Sequence, residues 1–334
     1  MTKQEIESIV KYLTNDEINL VREKFNFDKR QCHKMDFDDY FETTFNCRHY
    51  EDVISGEGNE KDKIDTVYSS SLQSFVIFDH VSVNNKIKLH FDKVVEFDEV
   101  IFEYQNPVIG YPSSMDVVLL NRSNKEICFI ESKLCEIIRD SSDEGKKVIG
   151  ISYFRSSDVG YANTLKLSLS ELDLLGIEHP KEYLAKYRGL SKEEGGGDKV
   201  VNKIPGNTYV YSEGIKQVLS HLIGICNFKD SGQKYLYENT FDPIGNHNGY
   251  HIYYLELFNA MPELCRRNKV FADKISNFKK HVEEVFRVLN KKGLGINLYI
   301  KSYQDLFNDD AEESNGYFSK LSKKIINFYK LNEK

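Results

Sequence analysis

The stretch PSSMDVVLLNRSNKEICFIESKLCE, residues 112–136, decides the fold of this chain. It contains two runs of aliphatic and β-branched residues, separated by the polar segment RSNK at positions 122–125. A polar turn between two apolar runs predicts a β-hairpin. If the turn is centred on its two middle residues, Val118 lies opposite Phe129. Because both faces of the two strands are apolar, we expect the hairpin in the middle of a sheet that is covered on both sides.

Charged residues stand at the open end of this hairpin. The same register places Asp116 opposite Glu131, with Lys133 on the same face two residues further on. Two opposed carboxylates repel, and burying them is costly unless a partner compensates. They suit a hard cation such as Mg²⁺, with Mn²⁺ as the expected substitute and the backbone carbonyl of Ser132 as a further ligand. Lys133 could then stabilise charge on an attacked phosphate or help to deprotonate the attacking water. The alternative is a structural salt bridge in which Lys133 neutralises one carboxylate.

The sequence around the hairpin predicts flanking helices and a further strand. A helix is expected over 66–80, and the run VIFEYQNPV at 100–108 predicts a strand before the hairpin. The segment SEGIKQVLSHLIGIC at 212–226 has the apolar stripe of an amphipathic helix, and Gln217 and His221 lie one turn apart beside that stripe. Together these elements predict an α/β fold, in which helices flank a mixed central sheet of about four or five strands.

Asp116, followed after a spacing of fourteen residues by the run ESK at 131–133, resembles the motif of the PD-(D/E)xK nuclease superfamily. Met115 stands where the motif usually has its proline. The sequence IESKLCE followed by GIKQVLSHLIG is similar to a group of bacterial restriction endonucleases within that superfamily. The resemblance covers roughly 66–260, and it implies a restriction-endonuclease-like core with the element order α-β-β-β-α-β.

The resemblance also implies roles for single residues. Asp116 and Glu131 would bind the metal ion, and Lys133 would assist the attacking water. Many members of the superfamily carry a glutamine near the scissile phosphate on the helix after this strand, and Gln217 matches it. Some members use an additional upstream acid, for which Glu103 is the candidate. The rivals for that last role are Glu96, Glu99 and Gln73. The alternatives are a polar residue at a helix boundary for Gln217 and a solvated strand residue for Glu103.

Three regions are expected along the chain. We expect residues 1–65 to form an N-terminal helical extension and residues 66–260 to form the nuclease core. Within the core a mobile loop is expected near 188–206, where SKEEGGGDK places three glycines among charges. The runs YLYENTF and YHIYYLELF predict further strands of the core. Residues 261–334 predict a mainly helical C-terminal part that packs on the core.

The charge of the chain is uneven. The net charge is −7, but the part from Lys269 onward carries +4, so a local basic surface remains open although the chain as a whole is acidic. The candidates for contact with DNA, on the C-terminal helix and in the predicted loop, are Lys280, Arg287, Lys291, Arg188 and Lys192. The first three share one helical face, for which a solvated surface is the alternative.

These patterns predict a Mg²⁺-dependent endonuclease that hydrolyses double-stranded DNA, in the manner of a restriction enzyme. The alternatives are a repair or recombination nuclease of the same superfamily and a non-catalytic module that binds nucleic acid or protein on this fold. The six cysteines form no CxxC pair and no apolar run of about 18 residues is present, so a cytoplasmic chain without a membrane segment is expected. A homodimer is a candidate assembly. Cys32, His33, Cys47 and His49 match no zinc-site spacing.

Overall fold

The structure is a computed structural model. It describes residues 70–106, 113–134, 137, 164–168, 170–171, 215–231, 244, 249–267 and 269–311. Three of the predicted features lie outside these residues: the N-terminal extension over 1–65, the loop near 188–206 and the strand YLYENTF.

The described residues form an α/β unit with the following helices and strands. The helices are α1 (Ser70–Phe78), α2 (Ile215–Ser231), α3 (Pro262–Arg267), α4 (Lys269–Asn290) and α5 (Tyr303–Ala311). The strands are β1 (Ile87–His90), β2 (Val94–Phe97), β3 (Glu99–Asn106), β4 (Ser113–Asn121), β5 (Glu126–Lys133), β6 (His251–Phe258) and β7 (Asn297–Ser302).

The central sheet has five strands in the order β3-β4-β5-β6-β7. The first three are antiparallel to one another, β6 runs parallel to β5, and β7 runs parallel to β6. Parallel neighbours need crossover connections, and α2 and α4 lie in these two connections. The mixed sheet flanked by helices confirms the predicted fold class. The predicted hairpin register is also confirmed, because Val118 pairs with Phe129.

Helices cover both faces of the sheet, which explains why the hairpin strands are apolar on both sides. On one face Val118 and Phe129 belong to a buried cluster with residues of α2 and α4. On the other face Val117 and Cys128 belong to a second cluster with residues of α1, α5 and the β1–β2 hairpin. Each fully buried aliphatic or aromatic side chain contributes about 1.5–3 kcal/mol, so burial on both faces anchors the hairpin in the sheet.

Helix α4 shows how the C-terminal part packs on the core. Its buried side chains recur every three or four residues, the spacing of one helical face. Phe278 meets Phe258 of β6 edge-on at 5.8 Å between ring centroids, and Phe286 meets Tyr254 of the same strand at 5.9 Å. The opposite face is exposed and carries charges. This helix therefore holds β6 in place from the same side of the sheet as α2.

Strands β1, β2 and β7 were missed by the sequence analysis. The sequence pattern favours mostly helix in the C-terminal part, but β7 within that part adds the fifth strand to the sheet. Gly293 and Gly295 have positive φ angles of 61° and 70° and directly follow α4, which lets the chain turn back toward the sheet. β7 has only six residues, and such a short run carries little periodic signal.

Candidate active site

The open end of the β4–β5 hairpin brings the predicted acidic residues together. The strand ladder includes the pair Val117 and Ile130, and Asp116 and Glu131 are the next residues beyond it. The backbone N–H of Ser132 donates to Oδ2 of Asp116 at 2.6 Å, so the Asp116 carboxylate reaches across to the end of β5. Asp116 is half-buried, whereas Glu131 is 2% exposed. A partly open carboxylate therefore lies beside a fully enclosed one.

Glu131, Lys133 and Gln217 form a closed set of hydrogen bonds. Lys133 Nζ donates to Glu131 Oε1 and, at 2.8 Å, to Gln217 Oε1. Gln217 Nε2 in turn donates to Glu131 Oε1 at 2.5 Å. Lys133 is only 5% exposed, but Gln217 lies in the first turn of α2 and is exposed. Hydrogen bonds to charged groups are roughly twice as strong as neutral ones, so this set is rigid, and solvent reaches it on the Gln217 side.

These hydrogen bonds also agree with the alternative interpretation, a structural salt bridge in which Lys133 neutralises one carboxylate. What separates the two interpretations is the charge nearby. β5 and β6 pair in parallel with Glu131 beside Glu256, so a further carboxylate lies on the neighbouring strand. Both Glu131 and Asp116 act on Glu256 electrostatically. A second buried acid therefore lies beside the carboxylate that Lys133 binds, and a structural salt bridge needs only one acid.

Glu256 is the site residue that the sequence analysis missed. It is 0% exposed, and burial, together with the charges of Glu131 and Asp116, raises its pKa to about 8 although Lys133 opposes the shift. Tyr254 OH donates to its Oε2 at 2.6 Å, while its Oε1 has no hydrogen-bond partner among the residues that the structure describes. The available signal was a lone acid inside the apolar strand YHIYYLELF. Its position beside Glu131 depends on a parallel register that a single sequence does not reveal.

His221 lies between Tyr254 and Glu131. Its Nδ1 lies 3.4 Å from Tyr254 OH and 3.5 Å from Glu131 Oε2. Burial, reinforced by the charge of Lys133, lowers the pKa of His221 well below its ordinary value. The neighbouring Tyr254 has its pKa raised well above the usual range, first by burial and then by Glu256. Both side chains are therefore neutral and act as hydrogen-bonding groups.

Glu103 lies next to Asp116 across the sheet. The β3–β4 ladder pairs Phe102 with Val117 and Tyr104 with Met115, and it is interrupted between these pairs, where Glu103 and Asp116 stand. Glu103 has a φ of 50°, which is uncommon for a residue other than glycine and is typical of functional sites. Its half-exposed side chain stands at the edge of the candidate site.

The three rivals of Glu103 have other partners. Glu96 forms an ion pair with Lys86 at 2.7 Å, and Glu99 forms one with Arg122 at 2.7 Å. Gln73 is a buried residue of α1, and its Oε1 accepts from Asn259 Nδ2 at 3.3 Å. Among the upstream candidates, Glu103 is favoured by its place opposite Asp116 in the β3–β4 ladder.

Ser132 connects the candidate site to the opposite face of the sheet. Its hydroxyl lies 2.8 Å from Tyr303 OH of α5, while its backbone N–H donates to Asp116. The Tyr303 side chain is fully buried, and its pKa is raised by that burial. This contact fixes the backbone at Ser132, between Glu131 and Lys133, from the face of the sheet that α5 covers.

The chemistry of the site suits a hard cation, although the side chains are arranged around an ammonium. Within the described ranges no set of three His, Cys, Asp or Glu side chains is already placed as a metal cage. The oxygen donors that could hold Mg²⁺ are those of Asp116 and Glu131, with Glu103 at the edge. All of them are oxygens, which are the ligand atoms that Mg²⁺ prefers. In addition, the buried Glu256 Oε1 accepts no hydrogen bond from the residues that the structure describes.

The predicted DNA-contacting residues of the C-terminal part are exposed on α4 and just beyond its end. Lys280 and Arg287 are on the exposed face of α4, and Lys291 follows the end of that helix. Arg287 Nε donates to Glu284 at 2.7 Å, so part of its charge is already matched. The other two candidates, Arg188 and Lys192, lie outside the described residues, as do the zinc candidates Cys32, His33, Cys47 and His49.

Comparisons of the chain with protein-family models, with curated proteins and with solved structures found no match. None of the helices in the described ranges has the length and apolar character needed to cross a membrane. The class of protein must therefore be inferred from the site itself.

Proposed function

We propose that this chain is a Mg²⁺-dependent endonuclease of the PD-(D/E)xK superfamily, and that it cuts double-stranded DNA as a restriction enzyme in the cytoplasm. One observation carries the proposal. Asp116, Glu131, Lys133 and Gln217, which come from two strands and a helix, converge at the end of one hairpin. When the separate β1–β2 hairpin, which follows α1, is left aside, the order α1, β3, β4, β5, α2 and β6 agrees with the α-β-β-β-α-β core that the motif implies, and it supports the assignment.

The roles follow from the positions of the side chains. Asp116 and Glu131 would hold the cation, and Glu103 is placed to assist them from the neighbouring strand. A bound Mg²⁺ supplies Lewis acidity, which stabilises charge on the attacked phosphate and lowers the pKa of the attacking water. Lys133 brings an ammonium to the same place and stabilises the negative charge that develops on the phosphate. Gln217 holds Lys133 and Glu131 in a fixed relation and faces the solvent side from which DNA would approach.

The reaction balances as a hydrolysis. The water oxygen forms a bond to phosphorus, the bond from phosphorus to the leaving ester oxygen breaks, and that oxygen takes up a proton. The chain contributes the charged environment and the orientation of the groups, which is where most of the rate enhancement of phosphoryl transfer arises.

The experiment is incubation of plasmid DNA with the purified protein and Mg²⁺, with EDTA in a parallel sample. Discrete fragments that disappear with EDTA support a restriction enzyme, and a smear supports a less specific repair or recombination nuclease. Lys133→Met should abolish cleavage, while Lys86→Met, which removes an exposed lysine from a surface ion pair, should leave it unchanged. Absence of cleavage in several sequence contexts, or full activity of Lys133→Met, would contradict the proposal.

The remaining alternative is a binding module without catalysis. The observation that favours it is the hydrogen-bonded contact between Lys133 and Glu131, which would stabilise the hairpin end without any cation. Such a module would retain DNA on a filter or in a gel shift and leave it intact, so the same preparation distinguishes the two functions.

A further inference from the structure

A short basic run follows the end of β6, and neither the motif nor the predicted DNA-contacting residues include it. The sequence LCRRNKV at 264–270 holds three basic residues and no acid, in a chain whose net charge is −7. Arg266 lies in α3, and Lys269 is the first residue of α4. Both are exposed, and the Lys269 side chain is 84% exposed. The run therefore places positive charge on the surface of an acidic protein.

The strand pairing places this run at the same edge of the sheet as the candidate site. β5 and β6 are parallel, and their last residues pair with each other. The residue after β6, Asn259, donates its backbone N–H to the carbonyl oxygen of Lys133 at 2.8 Å. Cys265 Sγ donates to the carbonyl oxygen of Ala260 at 3.3 Å, so α3 stays close to the residues that follow β6. Arg266 is the next residue of α3, a few short contacts away from Lys133.

The basic run also lies on the same face of the sheet as Gln217. α2 begins beside Lys133, because Gln217 in its first turn contacts that residue, and α4 begins soon after β6 ends. The buried side chains of the two helices belong to one cluster, which includes Leu219 of α2 and Phe271 of α4. Gln217 and Lys269 are both exposed at the starts of these helices. The two helix starts therefore border the side from which solvent reaches Lys133.

The ion pair that Lys269 already forms does not prevent it from binding another anion. Its partner is Asp273, one turn further along α4, at 2.8 Å. Both side chains of this pair are exposed, and exposed pairs contribute little to stability. A phosphate group can therefore replace Asp273 as the partner. An arginine such as Arg266 can bind a phosphate with two parallel hydrogen bonds.

We propose that Arg266 and Lys269 form a phosphate-binding surface at the edge of the candidate site and bind the backbone of the DNA that enters it. The inference rests on the proposed function, to which it adds the surface that receives the substrate. Duplex DNA fits this surface because it carries one negative charge about every 1.7 Å along its axis. Arg287 lies about five turns further along α4, or about 27 Å at 1.5 Å per residue, so it would meet phosphates farther along the duplex.

The test is binding of a DNA duplex to the full chain with Ca²⁺ in place of Mg²⁺, followed by fluorescence anisotropy over a range of salt concentrations. Arg266→Gln and Lys269→Gln each remove one positive charge from an exposed side chain. Each should lower the slope of log K against log salt by about one, and the double variant should lower it by about two. The two single variants report independently of each other, so each carries the test if the other fails to fold.

Lys125→Gln is the matched control. Lys125 is exposed in the turn of the β4–β5 hairpin, at the opposite end of β5 from Lys133, and its variant should keep the wild-type slope. An equal loss of slope in Lys125→Gln would overturn the inference, because DNA binding would then not be confined to this edge of the sheet.

The remaining outcomes separate the inference from the proposed function. Unchanged slopes in Arg266→Gln and Lys269→Gln, for a wild-type protein that binds DNA and cuts it with Mg²⁺, would overturn the inference and leave the proposed function intact. A wild-type protein that neither binds nor cuts DNA would overturn the proposed function, and the inference with it.

Discussion

Lys133 Nζ lies 2.8 Å from Gln217 Oε1, and this contact joins the last residue of β5 to the first turn of α2 across 84 positions of sequence. Gln217 also donates to Glu131, so one amide bridges a buried cation and a buried anion. An amide is suited to this place because it accepts with one atom and donates with the other. The motif residues are therefore held by a side chain from a helix that is distant in the sequence.

Gln217→Ala should lower the single-turnover rate of DNA cleavage about 10–100-fold, because a hydrogen bond to a charged group contributes about 1.5–3 kcal/mol. The protein should remain folded, since Gln217 is exposed. Asn277→Ala, which removes an exposed amide from α4, is the control and should cut at the wild-type rate. Equal rates for the two variants would remove Gln217 from the site.

Glu131→Ala should destabilise the metal-free protein by about 3–5 kcal/mol, because it leaves the buried ammonium of Lys133 without its carboxylate. The sequence alone suggested the opposite sign, from relief of repulsion between two acids. Urea unfolding in EDTA measures the change. Glu96→Ala, which breaks an exposed ion pair, should stay within about 1 kcal/mol of the wild type. A gain in stability for Glu131→Ala would show that repulsion outweighs the ion pair.

Glu256 predicts a specific pH dependence of stability in the metal-free protein. Its pKa of about 8 in the folded state exceeds the ordinary value of 4.5, so the folded protein holds a proton that the unfolded chain releases. The associated stability is complete below about pH 4.5 and is lost as the pH rises to about 8. Glu256→Gln does not titrate and should flatten the profile in that window. Urea unfolding from pH 4 to 9 in EDTA checks this, and parallel profiles for the two proteins would contradict it.

Charge reversal at Lys280 and Lys291 should reduce the salt dependence of DNA binding measured with Ca²⁺ in place of Mg²⁺. Each lost phosphate contact lowers the slope of log K against log salt by about one. Reversal at Arg287 should have a smaller effect, because Glu284 already binds its guanidinium. Unchanged slopes for all three would reject this helix face as a DNA surface and leave Arg188 and Lys192 as the candidates.

The sequence was sufficient to predict the β4–β5 hairpin. It was insufficient to predict how β6 and β7 pair beside that hairpin. A hairpin whose turn is centred on Ser123 and Asn124 has one register, so the relation between Val118 and Phe129 followed from the position of the polar turn. Gln217 could be selected because it lies beside an apolar helical stripe. Glu256 could not, because β6 joins β5 through a parallel crossover whose register is set by packing of α2 and α4. The same holds for β7, which follows a second crossover.

The central claim is tested most directly by Mg²⁺-dependent DNA cleavage with Asp116→Asn, measured as a single-turnover rate. Asp116 is the informative position because it is half-buried and lies outside the ion pair of Lys133 and Glu131, so its loss as an anion should not unfold the hairpin. Asp98→Asn, which changes another half-buried aspartate just before β3, is the matched control. The account predicts that wild-type protein and Asp98→Asn cut DNA only with Mg²⁺ present, and that Asp116→Asn does not cut. Cleavage by Asp116→Asn at the wild-type rate would contradict it.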